Sequence, residues 1–252
     1  VLFTVFAWLV LLLVIAAFAD IVAKSFIGAS YGGSATNGSV ATASLLFIPL
    51  AIAFGFCVYR KNAPMVVASV VGVILLAACV AIGIACPLDL SKNFWIAFVF
   101  VYIMVASVTP VWILLQPRDY LSSFLLYFMM AAAVIGIVGA TIVNPASTTF
   151  ATPAFNGFVS GGQYLFPTLF ITIACGAISG FHSLIGSGTT SKQLDNEKDA
   201  LLVGYGSMLI ECVLAVISLI AVATLTTDGQ FAAAGYASPT AVFATAISGF
   251  FA

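Results

Sequence analysis

NAPMVVASVVGVILLAACVAIGIACPL, residues Asn62 to Leu88, contains no charged side chain and is almost wholly aliphatic from Met65 to Ala85. Roughly 20 such residues in a helix are enough to cross the hydrocarbon of a bilayer. The run is continuous and does not alternate, so it reads as a membrane-spanning helix. An outer-membrane barrel would instead show strands of about ten residues with a polar lumen face. The pattern recurs on both sides. No charge occurs from Val1 to Ala19, from Ser25 to Tyr59, from Asn93 to Pro117 or from Tyr120 to Ser191, and the last of these holds two spans and a loop.

Composition excludes a water-soluble monomer. Hydrophobic residues make up 63% of the 252 and charged residues 6%, where a soluble domain carries roughly a quarter charged. The mean hydropathy of +1.24 replaces a missing polar surface with lipid-facing surface. The net charge of −1 leaves no basic face for nucleic acid and no acidic tail. Cys57, Cys79, Cys86, Cys175 and Cys212 include no C-x-x-C, and all but Cys86 fall in apolar stretches. They read as dispersed buried thiols, neither a disulfide framework nor a zinc site. The chain opens on Val1 with no basic n-region, unlike a signal peptide, and reads as one that begins mid-protein.

The expected fold is an all-α polytopic membrane protein forming one transmembrane domain over residues 1–252. Seven spans are expected at about Val1–Ala23, Ala43–Tyr59, Met65–Ala85, Phe94–Leu115, Leu121–Val143, Pro167–Ile185 and Ala200–Thr224. Ala233 to Ala252 is left as an apolar tail. If loops alternate sides, one side holds Arg60, Lys61, Arg118, Lys192 and Lys198 and the other only Lys24 and Lys92. The positive-inside rule then puts the first side, with Val1, in the cytoplasm. On the opposite face, Ser25 to Thr42 and Asn144 to Phe166 read as long neutral loops rich in Gly, Ser and Thr. These are either surface connections or partly re-entrant segments lining a cavity.

Ionisable groups inside a bilayer are functional candidates by default, and three qualify: Asp20, His182 and Glu211. Asp20 precedes Lys24 by one turn, so an i,i+4 ion pair at the interface accounts for both. Glu211 is roughly central in its span, which holds no basic residue. With Gly204, Ser207, Ala215 and Ser218 it follows spacings of one helical stripe. The stripe is either a packing seam in which the carboxyl hydrogen-bonds a neighbour or a proton-carrying or substrate-facing surface. In the preceding span Thr168, Thr172, Cys175, Ser179 and His182 form a second stripe, beside the G-x-x-x-G of Gly176 and Gly180. His182 is either a satisfied hydrogen-bonder or an anion-binding or proton-relaying group.

After His182 and Ser183, Gly186 and Gly188 are expected to break the helix and expose backbone N–H groups beside Thr189 and Thr190, as at transporter binding sites. This is not a Walker A motif, since G-K-[ST] is absent. Lys192 to Asp199 reads as a solvated loop. Pro110 is expected to kink its helix. In Gln116-Pro117-Arg118-Asp119-Tyr120, Pro117 is expected to end one span and Asp119 to cap the next. No hydrolase elbow, H-E-x-x-H, dinucleotide fingerprint or carboxylate cluster appears, so neither an enzyme nor a cofactor or metal is expected.

Two stretches, PVWILLQPRDYLSSFLLY (Pro110 to Tyr127) and TIACGAISGFHSLIGSGTTSKQL (Thr172 to Leu194), followed by GYGSML at Gly204 to Leu209, resemble the carbon starvation protein A (CstA) family of membrane transporters. The resemblance implies a middle part of a longer helical transporter in a prokaryotic cytoplasmic membrane, and the break expected at Gly186 and Gly188 adds discontinuous helices to that expectation. It also implies a link to peptide uptake, with some relatives carrying pyruvate with protons. Gln116, Arg118, Asp119, Ser179, His182, Thr189, Thr190 and Gln193 fall in the family's motifs. Together these readings predict a secondary transporter of a small peptide or carboxylate, coupled to protons, with Glu211, His182, Ser179, Ser183, Thr189, Thr190, Gln193 and Ser207 as pathway candidates. The rival reading is a non-transporting scaffold or sensory module. The partners implied are the lipid bilayer, a small substrate and H+.

Overall fold

The computed structural model describes residues 2–34, 36–61, 63–150, 155, 157–160, 162–177, 185–227, 230–231 and 239–251. Among these residues it is all-α apart from two two-residue ladders. Its main helices are α1 (Leu2–Phe26), α2 (Asn37–Lys61), α3 (Met65–Ala85), α4 (Lys92–Val108), α5 (Leu115–Val143), α6 (Phe170–Ala177), α7 (Asp199–Thr224) and α8 (Pro239–Gly249). Among the described residues, α1, α2, α3, α5 and α7 are each long and apolar enough to cross a membrane, and Lys92–Val108 and Leu165–Ala174 are shorter apolar helices. The chain is a multi-pass membrane protein. It divides into two compact units, Val1–Ala132 with Gly235–Thr245, and Ala133–Ala234 with Ala246–Ala252.

In the first unit α2 and α3 form a tight hairpin, and small residues set its spacing. A Cβ on Gly83 would lie 2.6 Å from the Ser39 carbonyl oxygen and 2.9 Å from Ala43 Cβ. One on Gly38 would lie 2.5 Å from the Leu88 carbonyl oxygen. Thr42 Oγ1 donates to the Cys86 carbonyl at 2.8 Å and accepts from Leu88 N at 3.1 Å. Helix α2 therefore begins at Asn37, and the Gly, Ser and Thr content read as part of a long loop up to Thr42 is instead its first turns. Small side chains there admit a neighbouring backbone, which is how apolar helices associate in lipid.

Helices α1, α2 and α4 meet in a core of Ala23, Ala41 and Trp95, all fully buried. Phe26 meets Trp95 edge-on at 5.0 Å between ring centroids. The span expected over Phe94–Leu115 is not one helix. Helix α4 stops at Val108, residues 109–114 form a turn closed by Ile113 N donating to the Pro110 carbonyl at 3.0 Å, and α5 starts at Leu115. Pro110 ends the helix because it lacks the N–H that would continue it. Pro117, expected as the terminator, lies in the first turn of α5, where no intrahelical donor is lost.

In the second unit two five-residue segments, Gly186–Thr190 and Leu202–Gly206, are wound as π-helix, whereas Phe166 is extended (φ −118°, ψ 132°) and kinks the chain just ahead of the helix that continues as α6. The stretch 144–166 holds a 3-10 turn at Pro145–Thr148 and an antiparallel ladder pairing Val159 with Tyr164 and Ser160 with Gln163. The tail left unassigned by hydropathy contains α8, with Val242 and Ala246 buried. Cys57, Cys86 and Cys212 are exposed free thiols and Cys79 is half-buried. The expectation of buried thiols fails for the first three: Cys57 is exposed on α2, and Cys212 is exposed on α7, where it lines an open apolar groove beside α5, a setting that suits an apolar thiol as well as a core does.

Candidate functional site

The motif Gln116–Tyr120 occupies the first turns of α5. Pro117 and Leu121, one turn apart, are both fully buried. A Cβ on Gly55 of α2 would lie 2.5 Å from Pro117 Cγ, and one on Gly72 of α3 would lie 2.8 Å from Leu121 Cδ2. The two side chains are thus knobs seated in glycine notches of the α2–α3 hairpin. Tyr120 stacks on Phe54 with centroids 5.8 Å apart, and its hydroxyl shares a 2.8 Å hydrogen bond with Ser69 Oγ.

The charged part of the motif faces the other way. Arg118 donates from Nε and Nη2 to Asp119 Oδ1 at 3.1 and 3.0 Å, and from Nη1 to Tyr102 Oη of α4 at 3.2 Å. Asp119, expected to cap a helix, is instead the counter-ion of its neighbour, because the helix has already begun at Leu115. Gln116 is half-buried in the same turn, its N–H donating to the Val111 carbonyl at 3.0 Å. Sequence reasoning missed Tyr102, Ser69, Gly55 and Gly72. No local spacing in the motif marks these partners, which lie on three other helices.

A second polar cluster ties the opposite ends of these helices together. Asp20 bridges Lys24 and Lys92, each at 2.8 Å. The Asp89 carboxylate accepts from the Ser30 hydroxyl and, at 3.3 Å, from Ser30 N, while Gly28 N donates to the Leu90 carbonyl at 3.1 Å. The Asp20–Lys24 pair was legible from i,i+4 spacing. Lys92 as its second cation was not, being 72 residues from Asp20 in sequence.

In the second unit the described candidates are Thr189, Thr190, Gln193, Ser207 and Glu211. His182, Ser179 and Ser183 lie outside the described residues. From 185 to 193 the backbone is helical throughout, π-wound over Gly186–Thr190 and α-helical over Ser191–Gln193. The break expected at Gly186 and Gly188 is therefore a widening of the helix. Glycine permits either, having no Cβ to crowd a wider turn, and among the described residues no atom beyond the helix's own backbone lies within 4 Å of a Cβ built on either residue. Thr189 and Thr190 are half-buried and Gln193 is exposed. Such π-turns recur at functional sites; the one at Leu202–Gly206 ends directly before Ser207, and paired glycines were its sequence signal.

Helix α7 runs from Asp199 to Thr224, so Glu211 sits roughly 18–20 Å from either end at a rise of about 1.5 Å per residue. Its position is exposed. Ser207 Oγ donates to the Val203 carbonyl, and Ser218 Oγ to that of Leu214 at 2.9 Å, closing both hydroxyls on their own helix. The other side of α7 is aliphatic. Leu209, Cys212, Val213, Val216, Ile217 and Ile220 face Val134, Ile137 and Val138 of α5 across an open groove of about 480 Å³. With about 100° between successive residues, Ser207, Glu211, Ala215 and Ser218 fall opposite Leu209, Val213, Val216 and Ile220. The carboxylate thus points away from the α5 seam.

Comparison with known proteins agrees with the resemblance of the motifs. No solved structure matches the chain. A peptide transporter CstA of Bacillus subtilis (strain 168) is 42% identical over 199 residues, 73% of this chain and 32% of that protein. The pyruvate/proton symporter BtsT of Escherichia coli (strain K12) is 34% identical over 239 residues, 89% of this chain and 31% of its own length. A peptide transporter CstA of the same organism is 47% identical over 150 residues, covering 58% and 20% of the two chains. The chain thus spans about a third or less of the length of these relatives. The family profile described as carbon starvation protein CstA matches residues 1–250, and the chain belongs to that family.

Proposed function

We propose that this chain forms part of the translocation pathway of a secondary transporter for a small nutrient, a peptide or a small carboxylate such as pyruvate, driven by protons. The reading is carried by Glu211: a carboxyl at the middle of a 26-residue apolar helix, on the side turned from its aliphatic seam with α5. A carboxylate at bilayer depth is costly and is retained where it carries a proton or meets a hydrated path. The names of the relatives, a pyruvate/proton symporter and peptide transporters, support the same class of substrate and coupling. His182, Ser179, Ser183, Thr189, Thr190, Gln193 and Ser207 stand as companion residues along the pathway, and Arg118, Asp119 and Gln116 as a structural junction.

The site of action is the cytoplasmic membrane of a prokaryote, with Val1 on the cytoplasmic side. The excess of Lys and Arg on the side of Arg60, Lys61, Arg118, Lys192 and Lys198 over the side of Lys24 and Lys92, five against two, supports this sidedness. Thr148→Cys is expected to react with an impermeant thiol reagent from outside the cell, and labelling only from the cytoplasmic face would reverse the orientation. The function itself is tested with proteoliposomes of the intact protein under an imposed pH gradient. Accumulation of labelled pyruvate or peptide that collapses with the gradient supports the proposal, and absence of any gradient-dependent uptake would favour the scaffold reading.

A further inference from the structure

A serine follows each of the two π-turns of the second unit, and both serines bond in the same way. Ser191 N donates to the Gly186 carbonyl five residues back, while Ser191 Oγ donates to the Ser187 carbonyl at 2.7 Å. Ser207 N donates to the Gly204 carbonyl, while Ser207 Oγ donates to the Val203 carbonyl. In an α-turn the carbonyl four residues back belongs to the backbone N–H. Here the hydroxyl holds it instead, so each wide turn is clasped by the side chain of the serine that ends it. Gly204 and Gly206 lie in the second turn. Among the described residues, and leaving out the helix's own backbone, a Cβ on Gly204 would meet nothing within 4 Å, and one on Gly206 only Leu202 Cδ1, at an ordinary 3.7 Å. Crowding by a neighbour does not force the wide winding there.

A π-turn is an α-helix with one residue more in the turn. With the start of α7 held, a return to α-winding advances everything beyond the turn by one residue, about 100° around the axis and about 1.5 Å along it. Each later residue then takes the direction now held by the next one. Glu211 would point where Cys212 points, and Ala215 where Val216 points. Cys212 and Val216 line the open groove against Val134, Ile137 and Val138 of α5. The groove walls are aliphatic apart from the Cys212 thiol, so a turning helix exchanges one dispersion contact for another. Shifts of helix register are among the collective motions of folded proteins.

We infer that the turn Leu202–Gly206, clasped by Ser207, is a register switch that carries the Glu211 side chain between the side of α7 turned from α5 and the groove beside α5. Its use in transport rests on the reading of Glu211 proposed above. The switch itself rests on the winding and on the two bonds of Ser207.

The test places spin labels at Ala215→Cys and Ile137→Cys of the intact protein, with the other cysteines replaced, and reads their separation in reconstituted vesicles. Gly204→Ala, Gly206→Ala and Ser207→Ala together remove the clasp and favour α-winding. They are expected to shorten the separation, since a turn of about 100° moves even an atom at the Cα radius of about 2.3 Å by about 3.5 Å. Deletion of Gly204 instead removes the extra residue, so α-winding returns without rotation and the parental separation is expected. An unchanged separation in the triple variant would overturn the inference. So would a changed one in the deletion variant, which decides the matter if the triple variant does not fold. The deletion is also expected to abolish uptake driven by a pH gradient, because Glu211 can no longer turn. Parental uptake by the deletion variant, with uptake lost in Glu211→Gln, would overturn the switch and leave the glutamate's role standing. Parental uptake by Glu211→Gln would refute that role, and the label separations would still decide the switch.

Discussion

Replacing Gly83 of α3 by alanine tests whether close backbone approach sets the α2–α3 hairpin. The new methyl would stand 2.6 Å from the Ser39 carbonyl oxygen, 2.9 Å from Ala43 Cβ and 3.1 Å from Ala43 N. Two of these are backbone atoms, which no rotamer change relieves. Restoring a carbon–oxygen distance of about 3.3 Å requires the helices to part by roughly 0.7 Å, and a gap of that size forfeits a quarter to a half of each contact it opens. Overpacking of this kind costs about 1–3 kcal/mol, offset by about 1 kcal/mol because alanine is the better helix former. Gly139→Ala on α5, where among the described residues no atom beyond the helix's own backbone lies within 4 Å of the built Cβ, carries the propensity gain alone. Unfolding of the two variants in mixed micelles is therefore expected to differ by about 1–3 kcal/mol, with Gly83→Ala the weaker. Equal stability would refute the close-approach account of the hairpin.

Asp20→Asn removes the carboxylate shared by Lys24 and Lys92; since the three side chains are 38–45% exposed, solvent screening keeps the expected loss of stability small. The loss should shrink further in molar salt, as measured by unfolding at two ionic strengths. Gly188→Ala meets no neighbour among the described residues and favours α- over π-winding, so it should leave insertion and thermal stability intact; a drop in uptake without loss of folded protein would tie the π-turn to transport.

Fold class and the presence of about seven apolar helices were legible because the bilayer demands long uncharged runs, and those runs are plain between the few charges. Helix ends were harder. The Gly38–Thr42 stretch has loop composition, yet its small residues serve a neighbouring backbone, and hydropathy cannot distinguish the two uses. Pro110 and Pro117 carry the same local signal. Only the partner surfaces, the Gly55 notch above all, decide that one ends a helix and the other enters it. The site shows the same division. Spacing placed Ser207 and Glu211 on one stripe, whereas the bridging of Asp20 to Lys92 and of Arg118 to Tyr102 depends on tertiary contacts that no spacing encodes.

The account turns on Glu211 as the group that carries the coupling proton, and Glu211→Gln in proteoliposomes tests it most directly. Glutamine keeps the size and hydrogen-bonding of the protonated acid but cannot release a proton. The variant is expected to lose pH-gradient-driven accumulation of labelled substrate while still exchanging substrate across the membrane when no gradient is imposed. Accumulation at the parental rate would contradict the claim and return Glu211 to the role of a hydrogen bond between packed helices.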